Sequence, residues 1–443
     1  MKRSEAQTSP SLPALPIEIL SQIFLGCVDL DGSLTSTDTI DVPLLLTQIC
    51  HGWRSVAIGT QILWSRLSLN IKPNAAHQAS LVSTWLTRSG ACPLQIYIMW
   101  EQRPFYPSHP VLDLLAQHSH RWRNMFFFLP FEAYESLSSI RGNLPILSEL
   151  SLGTDCHPMS SPIIDAFEIA PQLRSLECVN LRPESFKLPL QDLSKIPIMD
   201  VTVKDCFKIL RQAPHLQNGS FIFVDFTTSG APPRLLFRHD ALRELAILTS
   251  PWDEQVEVTD LFQFLDVPHL QSLRICNLQW LLTADIHLFL SRVDALETLH
   301  LRKNALSEAD LLQILAIVPS LKHLTILSTP SSYTITHNFL DCLVWEPTEN
   351  SLVPRLETLE FSMYTPMGPS FVKLLESRWN VEDTEDELPR ASRMEKVTAI
   401  TDEEFGDDVL GRLESLALEG MTIVIQSPED GPDSLCDTSH SRE

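Results

Sequence analysis

The chain has 443 residues, 44% of them hydrophobic and 20% charged, with a formal net charge of −23 at pH 7. That length allows two or three domains, or one small domain followed by a repeat array, and the composition is that of a folded protein rather than a disordered one. The acidic balance argues against a coat for nucleic acid or anionic membrane, since both need clustered Lys and Arg.

The opening, Met1-Lys2-Arg3-Ser4-Glu5, runs into polar residues and prolines instead of an apolar core, so no secretory signal is expected. No apolar stretch approaches the roughly 18 residues that span a bilayer. The nine cysteines are scattered singly, without a Cys-x-x-Cys pair, as expected of buried thiols in a reducing compartment. The expectation is a soluble protein of the cytosol, the nucleus or both, with neither a membrane nor a nucleic acid among its partners.

Residues 1–12 are polar and read as a disordered start. Leu15-Pro16-Ile17-Glu18-Ile19-Leu20 then leads into Ile23-Phe24-Leu25. Pro16 suits the first turn of a helix, and Ile19, Leu20, Ile23 and Phe24 recur at helical spacing as one apolar stripe. Asp29 to Val42, rich in Ser, Thr and Asp, reads as a polar loop. After it come Ile49-Cys50-His51-Gly52-Trp53-Arg54, Val56-Ala57 and Leu63-Trp64, a second apolar helix and its close. Two or three short helices cannot bury that much apolar surface among themselves, so a partner or the rest of the chain must cover it.

In its order of blocks this segment, residues 13–66, resembles an F-box: a Leu-Pro-x-Glu-Ile-Leu opening, an Ile-Phe pair, a Cys-x-x-Trp-Arg centre and a Leu-Trp close. The inserted loop 29–42 resembles the longer F-box-like variant of fungal families. The resemblance implies docking on a Skp-type adaptor, and through it a cullin. Leu15, Pro16, Ile19, Leu20, Ile23, Cys50 and Trp53 would be the apolar anchors, while Glu18 would serve the helix N-terminus. Trp64 is equally suited to be a core residue joining this module to the rest of the chain.

Strand-like runs come next at residues 65–69, 94–98 and 125–129, with helical patterns around 79–87 and 111–118 between them. From about residue 140 a Pro-x-Leu step recurs at Pro145, Pro171, Pro214, Pro268, Pro319 and Pro354. The leucine usually opens a Leu-x-x-Leu-x-apolar unit, as in Leu270-Gln271-Ser272-Leu273-Arg274-Ile275 and Leu321-Lys322-His323-Leu324-Thr325-Ile326. Leu242, Leu296 and Leu413 open the same unit without the proline, and Ile198 opens a weaker one. Anchors fall at Leu147, Leu173, Ile198, Leu216, Leu242, Leu270, Leu296 and Leu321, mostly 25–28 residues apart. Amphipathic helices are expected between them, over 163–167, 260–265 and 309–315. A near-constant period with one short strand per unit marks a stacked solenoid. The pattern resembles helix-containing leucine-rich repeats, with Asn304 placed where that family ties neighbouring turns together.

The expected fold class is therefore α+β overall: a small all-α F-box followed by an irregular α/β leucine-rich-repeat solenoid over 67–425, with parallel strands and outer helices. An acidic loop is expected at about 380–390, the unit Arg412–Ile425 is expected to cap the open edge, and 426–443 reads as a disordered acidic tail.

The sequence holds no phosphate-binding loop, dinucleotide fingerprint, nucleophile elbow or His-Glu-x-x-His. His118-Ser119-His120 has no third metal ligand at a workable spacing. No catalytic residue, cofactor or metal is assigned, and the chain is not expected to be an enzyme. Counted from each anchor leucine, open-face strand positions include Asp200 and Lys204, and also Arg274, His300, Arg302 and His323 on three successive strands. These last four are the candidate target-binding residues, forming a basic patch for an acidic or phosphorylated segment. Together the resemblances imply the substrate receptor of an SCF-type cullin–RING ubiquitin ligase, holding an unidentified protein target. The alternative is a leucine-rich binding scaffold with no ligase connection, its N-terminal helices serving as the cap.

Overall fold

A computed structural model describes residues 15–27, 41–72, 75–100, 109–155, 163–224, 235–249, 258–278, 283–304, 306–328, 335–346, 351–381 and 391–428. The expected disordered start, the loop up to residue 40, the acidic run Glu382–Glu387 and the tail beyond Pro428 lie outside the described residues. The fold is mixed α/β on parallel strands, in two compact units.

The first unit comprises residues 1–173 and 184–189. It opens with α1 (Ile17–Gly26), α2 (Asp41–Ile49) and α3 (His51–Gly59). Helix α2 already begins at Asp41, two residues inside the segment expected to be loop. A 3-10 turn, Gln61–Trp64, leads into β1 (Arg66–Asn70), followed by α4 (Ala75–Arg88), β2 (Leu94–Met99), α5 (Pro110–Gln117), β3 (Trp122–Phe128), a long 3-10 segment (Phe131–Ile140) and β4 (Glu149–Gly153). The four strands pair in chain order, all parallel. Alternation is plain in β2, where Leu94, Ile96 and Ile98 are buried while Gln95, Tyr97 and Met99 are half-exposed.

Trp64 decides how the opening helices join the sheet. It is fully buried, donates its indole N–H to the Ala57 carbonyl at 2.8 Å, and meets Trp85 of α4 edge-on at 4.8 Å. The Arg88 guanidinium covers its ring at 4.3 Å. Gly90 holds the same junction: it sits at φ +55°, and a Cβ there would lie 2.5 Å from the Gln61 amide.

The second unit comprises residues 174–183 and 190–443. In chain order it holds β5 (Ser175–Val179), β6 (Lys195–Val201), α6 (Val203–Gln212), β7 (Asn218–Phe223), β8 (Phe237–Arg238), β9 (Glu244–Thr249), α7 (Thr259–Phe264), β10 (Leu265–Asp266), β11 (Ser272–Cys276) and α8 (Thr283–Leu290). Then come β12 (Thr298–Arg302), α9 (Glu308–Ala316), β13 (His323–Leu327), α10 (His337–Leu343), β14 (Thr358–Met363), α11 (Gly368–Trp379), β15 (Lys396–Thr401), α12 (Asp407–Leu418) and β16 (Thr422–Gln426). Apart from the short β8–β10 pair, each strand pairs in parallel with the next. The anchor leucines Leu216, Leu242, Leu270, Leu296, Leu321 and Leu356 are all buried.

Side-chain caps start several helices where the strands end. Thr202 accepts from the Asp205 N–H at 3.1 Å, and Ser307 forms a reciprocal capping box with Asp310. The Glu403 carboxylate takes the Met367 and Gly368 N–H groups at the start of α11, at 3.0 and 3.2 Å.

Four expectations need correction. Residues 163–167 form no helix; Ile164 instead bridges Phe186, and Pro171 leaves too few residues for one. Leu413–Leu418 is the end of α12, not a strand, because Leu-x-x-Leu also fits a helical face and Asp407 and Asp408 favour a helix start. The strand of that unit is β16, which ends at Gln426, inside the expected tail. The Ile198 anchor is displaced as well: β6 starts at Lys195 behind a buried Leu193, and its register is irregular on both sides.

Candidate functional site

Two surfaces carry the residues singled out above. The first is α1. Ile19 and Ile23 lie at i and i+4 on one face of the helix and are 48 and 45% exposed, and Leu15, in the extended stretch just before it, is 49% exposed. Pro16 beside them is exposed, and Leu20 is half-buried. Phe24, about 100° further round the helix from Ile23, is fully buried against Trp53 of α3, with ring centroids 5.0 Å apart. Trp53 is therefore half-buried and braces α1. Cys50 is exposed and caps α3, its sulfur accepting from the Trp53 N–H at 3.4 Å. Arg54, exposed to water, donates from Nε to the Thr47 carbonyl at 2.6 Å and so ties α3 to α2.

Sequence reasoning missed three residues of this module. Ile17 on α1, and Leu45 and Ile49 on α2, are all more than half exposed. The signal was present, since Leu45 and Ile49 stand at i and i+4 in Leu44-Leu45-Leu46-Thr47-Gln48-Ile49. Their helix start, however, falls in the segment read as loop.

The second surface is the open face of the second unit's sheet, opposite the buried leucines. Arg274 of β11 stands directly beside His300 of β12, and Arg302 comes two residues on, on the same face. His323 of β13 is opposite Thr298, diagonal to His300, and its Nδ1 lies 2.8 Å from the Thr358 hydroxyl. Thr325, the direct neighbour of His300, donates to Glu360 at 3.2 Å. The structure thus brings the four residues together on adjacent strands.

Burial, the Arg274 guanidinium and His323 push the His300 imidazole down to about 4. His300 is therefore neutral at pH 7, and the two arginines rather than the histidine supply the positive charge of this face. Two other expected open-face residues are not exposed strand positions. Asp200 shares the face of its register partner, the half-exposed Ile222, but is buried there with its carboxylate accepting the Asn180 N–H, and Lys204 stands on α6, one residue past its start.

Asn304 is buried, accepts from the Leu278 N–H at 3.0 Å and donates to the Ile275 carbonyl at 2.9 Å. It links the turn after β12 to β11. Among the described residues no cluster of three or more His, Cys, Asp or Glu is placed to hold a metal ion. None of the described helices is long and apolar enough to cross a membrane.

No protein-family model matches the chain, and no curated protein is recognisably similar to it.

Proposed function

We propose that this chain is the target-recognition subunit of an SCF-type cullin–RING ubiquitin ligase, a non-enzymatic receptor of the cytosol or nucleus. Its three opening helices act as an F-box that docks on a Skp-type adaptor. The parallel-strand array acts as an irregular leucine-rich-repeat solenoid whose open face holds a protein target. The observation that carries the reading is the exposed Ile19 and Ile23 on one face of α1, with exposed Leu15 and Pro16 just before the helix, which Phe24 anchors on Trp53. An apolar ridge on a helix fits the groove of a helical partner. The burial of Trp64 supports it further, because the module is packed directly on the sheet's first elements with no flexible linker. On the open face, Arg274 and Arg302 supply charge for an acidic segment of the target.

The test is co-purification with a Skp-type adaptor. Wild-type protein is expected to form a stable complex that Leu15→Ala/Pro16→Ala/Ile19→Ala abolishes, since each anchor removes on the order of 1–2 kcal/mol or more of binding energy. A folded wild-type chain that captures no adaptor sinks the ligase reading and leaves a free-standing binding scaffold.

A further inference from the structure

Strand β16 pairs with β15, and among the described residues its other edge has no strand beside it. Ile423 and Ile425 stand in register with Val397 and Ala399, which are fully buried, yet Ile425 is 43% exposed and Ile423 half-buried. The helix before it, α12, leaves Leu418 90% and Leu410 40% exposed. Among the described residues the expected C-terminal cap is thus itself uncovered. Thr422-Ile423-Val424-Ile425-Gln426 has no charge, Pro or Gly, none of the devices that protect an edge strand. The sequence after Pro428 offers little to cover it, since Glu429, Asp430, Asp433 and Asp437 surround a single large aliphatic residue, Leu435.

We infer that β16 pairs with β16 of a second copy of this chain, antiparallel, about a two-fold axis through Val424. The strand is symmetric about that residue, with Ile423 and Ile425 flanking Val424 and polar Thr422 and Gln426 outside them. Antiparallel pairing then sets each isoleucine against an isoleucine and each polar end against a polar end. The backbone phase is compatible with this register. The Thr422 N–H bonds the Glu395 carbonyl, so Thr422, Val424 and Gln426 face β15 and the amides of Ile423 and Ile425 face outward. Those are the amides that exchange hydrogen bonds when the axis passes through Val424. An axis lying between two residues would set an outward amide against an inward one, so the axis falls on a residue, and the matching of isoleucine to isoleucine and polar end to polar end selects Val424. Val424 then faces its own copy as a non-hydrogen-bonded pair, with Cα atoms about 4.5 Å apart.

Light scattering and sedimentation at about 0.15 M salt, where the screening length is about 8 Å, test the inference. The wild-type mass is expected near twice the 50.0 kDa of the chain, and Ile425→Lys is expected to return it to the monomer with the circular dichroism unchanged. Under mild oxidation Val424→Cys is expected to give a covalent dimer well above the wild-type background. Thr422→Cys, facing Gln426 of the other copy, is not. A monomeric wild type overturns the inference; protection of the Ile423 and Ile425 amides from exchange in that monomer would assign the edge to the chain's own tail. A dimer untouched by Ile425→Lys, or crosslinking equal at 422 and 424, overturns it too. None of these outcomes bears on adaptor binding through α1.

Discussion

Asp200 shows how one residue's burial sets a pH response. Its carboxylate is buried and accepts the Asn180 N–H at 2.6 Å, which favours the charged form, but desolvation is larger and raises its pKa from 3.8 to about 6. The folded chain therefore holds this proton more tightly than the unfolded chain. The stabilisation is complete below about pH 4 and is lost as pH rises through about 6. Above that range the charge costs the fold on the order of 2–3 kcal/mol. Asp200→Asn keeps an oxygen to accept the Asn180 N–H and removes the charge. It is expected to be more stable than wild type at pH 7.5 by about 1–2 kcal/mol, with the advantage shrinking by pH 5. Urea unfolding at the two pH values checks this, and a difference independent of pH would show that the carboxyl stays neutral throughout. Nothing in the sequence announced this residue. Strand alternation places it on the face of Ile222, as its register has it, and its burial there beside Asn180 leaves no mark in the strand pattern.

At the scale of elements, strands that come after a buried anchor leucine were legible because two constraints coincide. The leucine must reach the core, and the next inward residue must fall three positions on. Leu270, Leu296 and Leu321 satisfy both, and β11, β12 and β13 begin where that pattern places them. It failed where the same spacing fits another geometry, as at Leu413–Leu416, whose separation of three also lies on one helical face. The exposed stripe of α1 was legible for a different reason: large apolar residues at helical spacing outnumber what a small helical module can bury. The α2 part of the surface was not, because a polar Ser/Thr/Asp run hid where that helix starts. Trp64 could be placed only by its neighbours, since a tryptophan closing a helix serves a core or an interface equally well. Its burial between α3 and α4 makes it the residue on which the packing of these elements rests. Trp64→Ala is expected to destabilise the first unit by about 3–5 kcal/mol. Its melting transition should move down while the second unit's holds. Two transitions shifting together would show that the units unfold as one.

For the whole molecule, the dominant quantity is the net charge of −23. Ion pairs such as Lys322 with Glu297 and Lys373 with Asp341 are surface contacts and individually weak. Long-range repulsion among carboxylates then opposes compactness. Raising ionic strength from about 0.01 to 0.15 M shortens the screening length from about 30 to 8 Å. The melting temperature is accordingly expected to rise by on the order of 2 °C. A fall would mean that the local pairs, which salt weakens, outweigh the repulsion.

The order of the strands has a further consequence for how the protein is made. Within each unit nearly every strand pairs with the one before it in the chain, so no pairing waits for a distant segment to be synthesised. As the polypeptide leaves the ribosome, each new strand finds its template already formed, and the sheet lengthens in step with translation. Among the described strands β16 is the last to emerge, so up to that point the nascent chain carries an open strand edge at every stage of its growth, each one covered by the next strand.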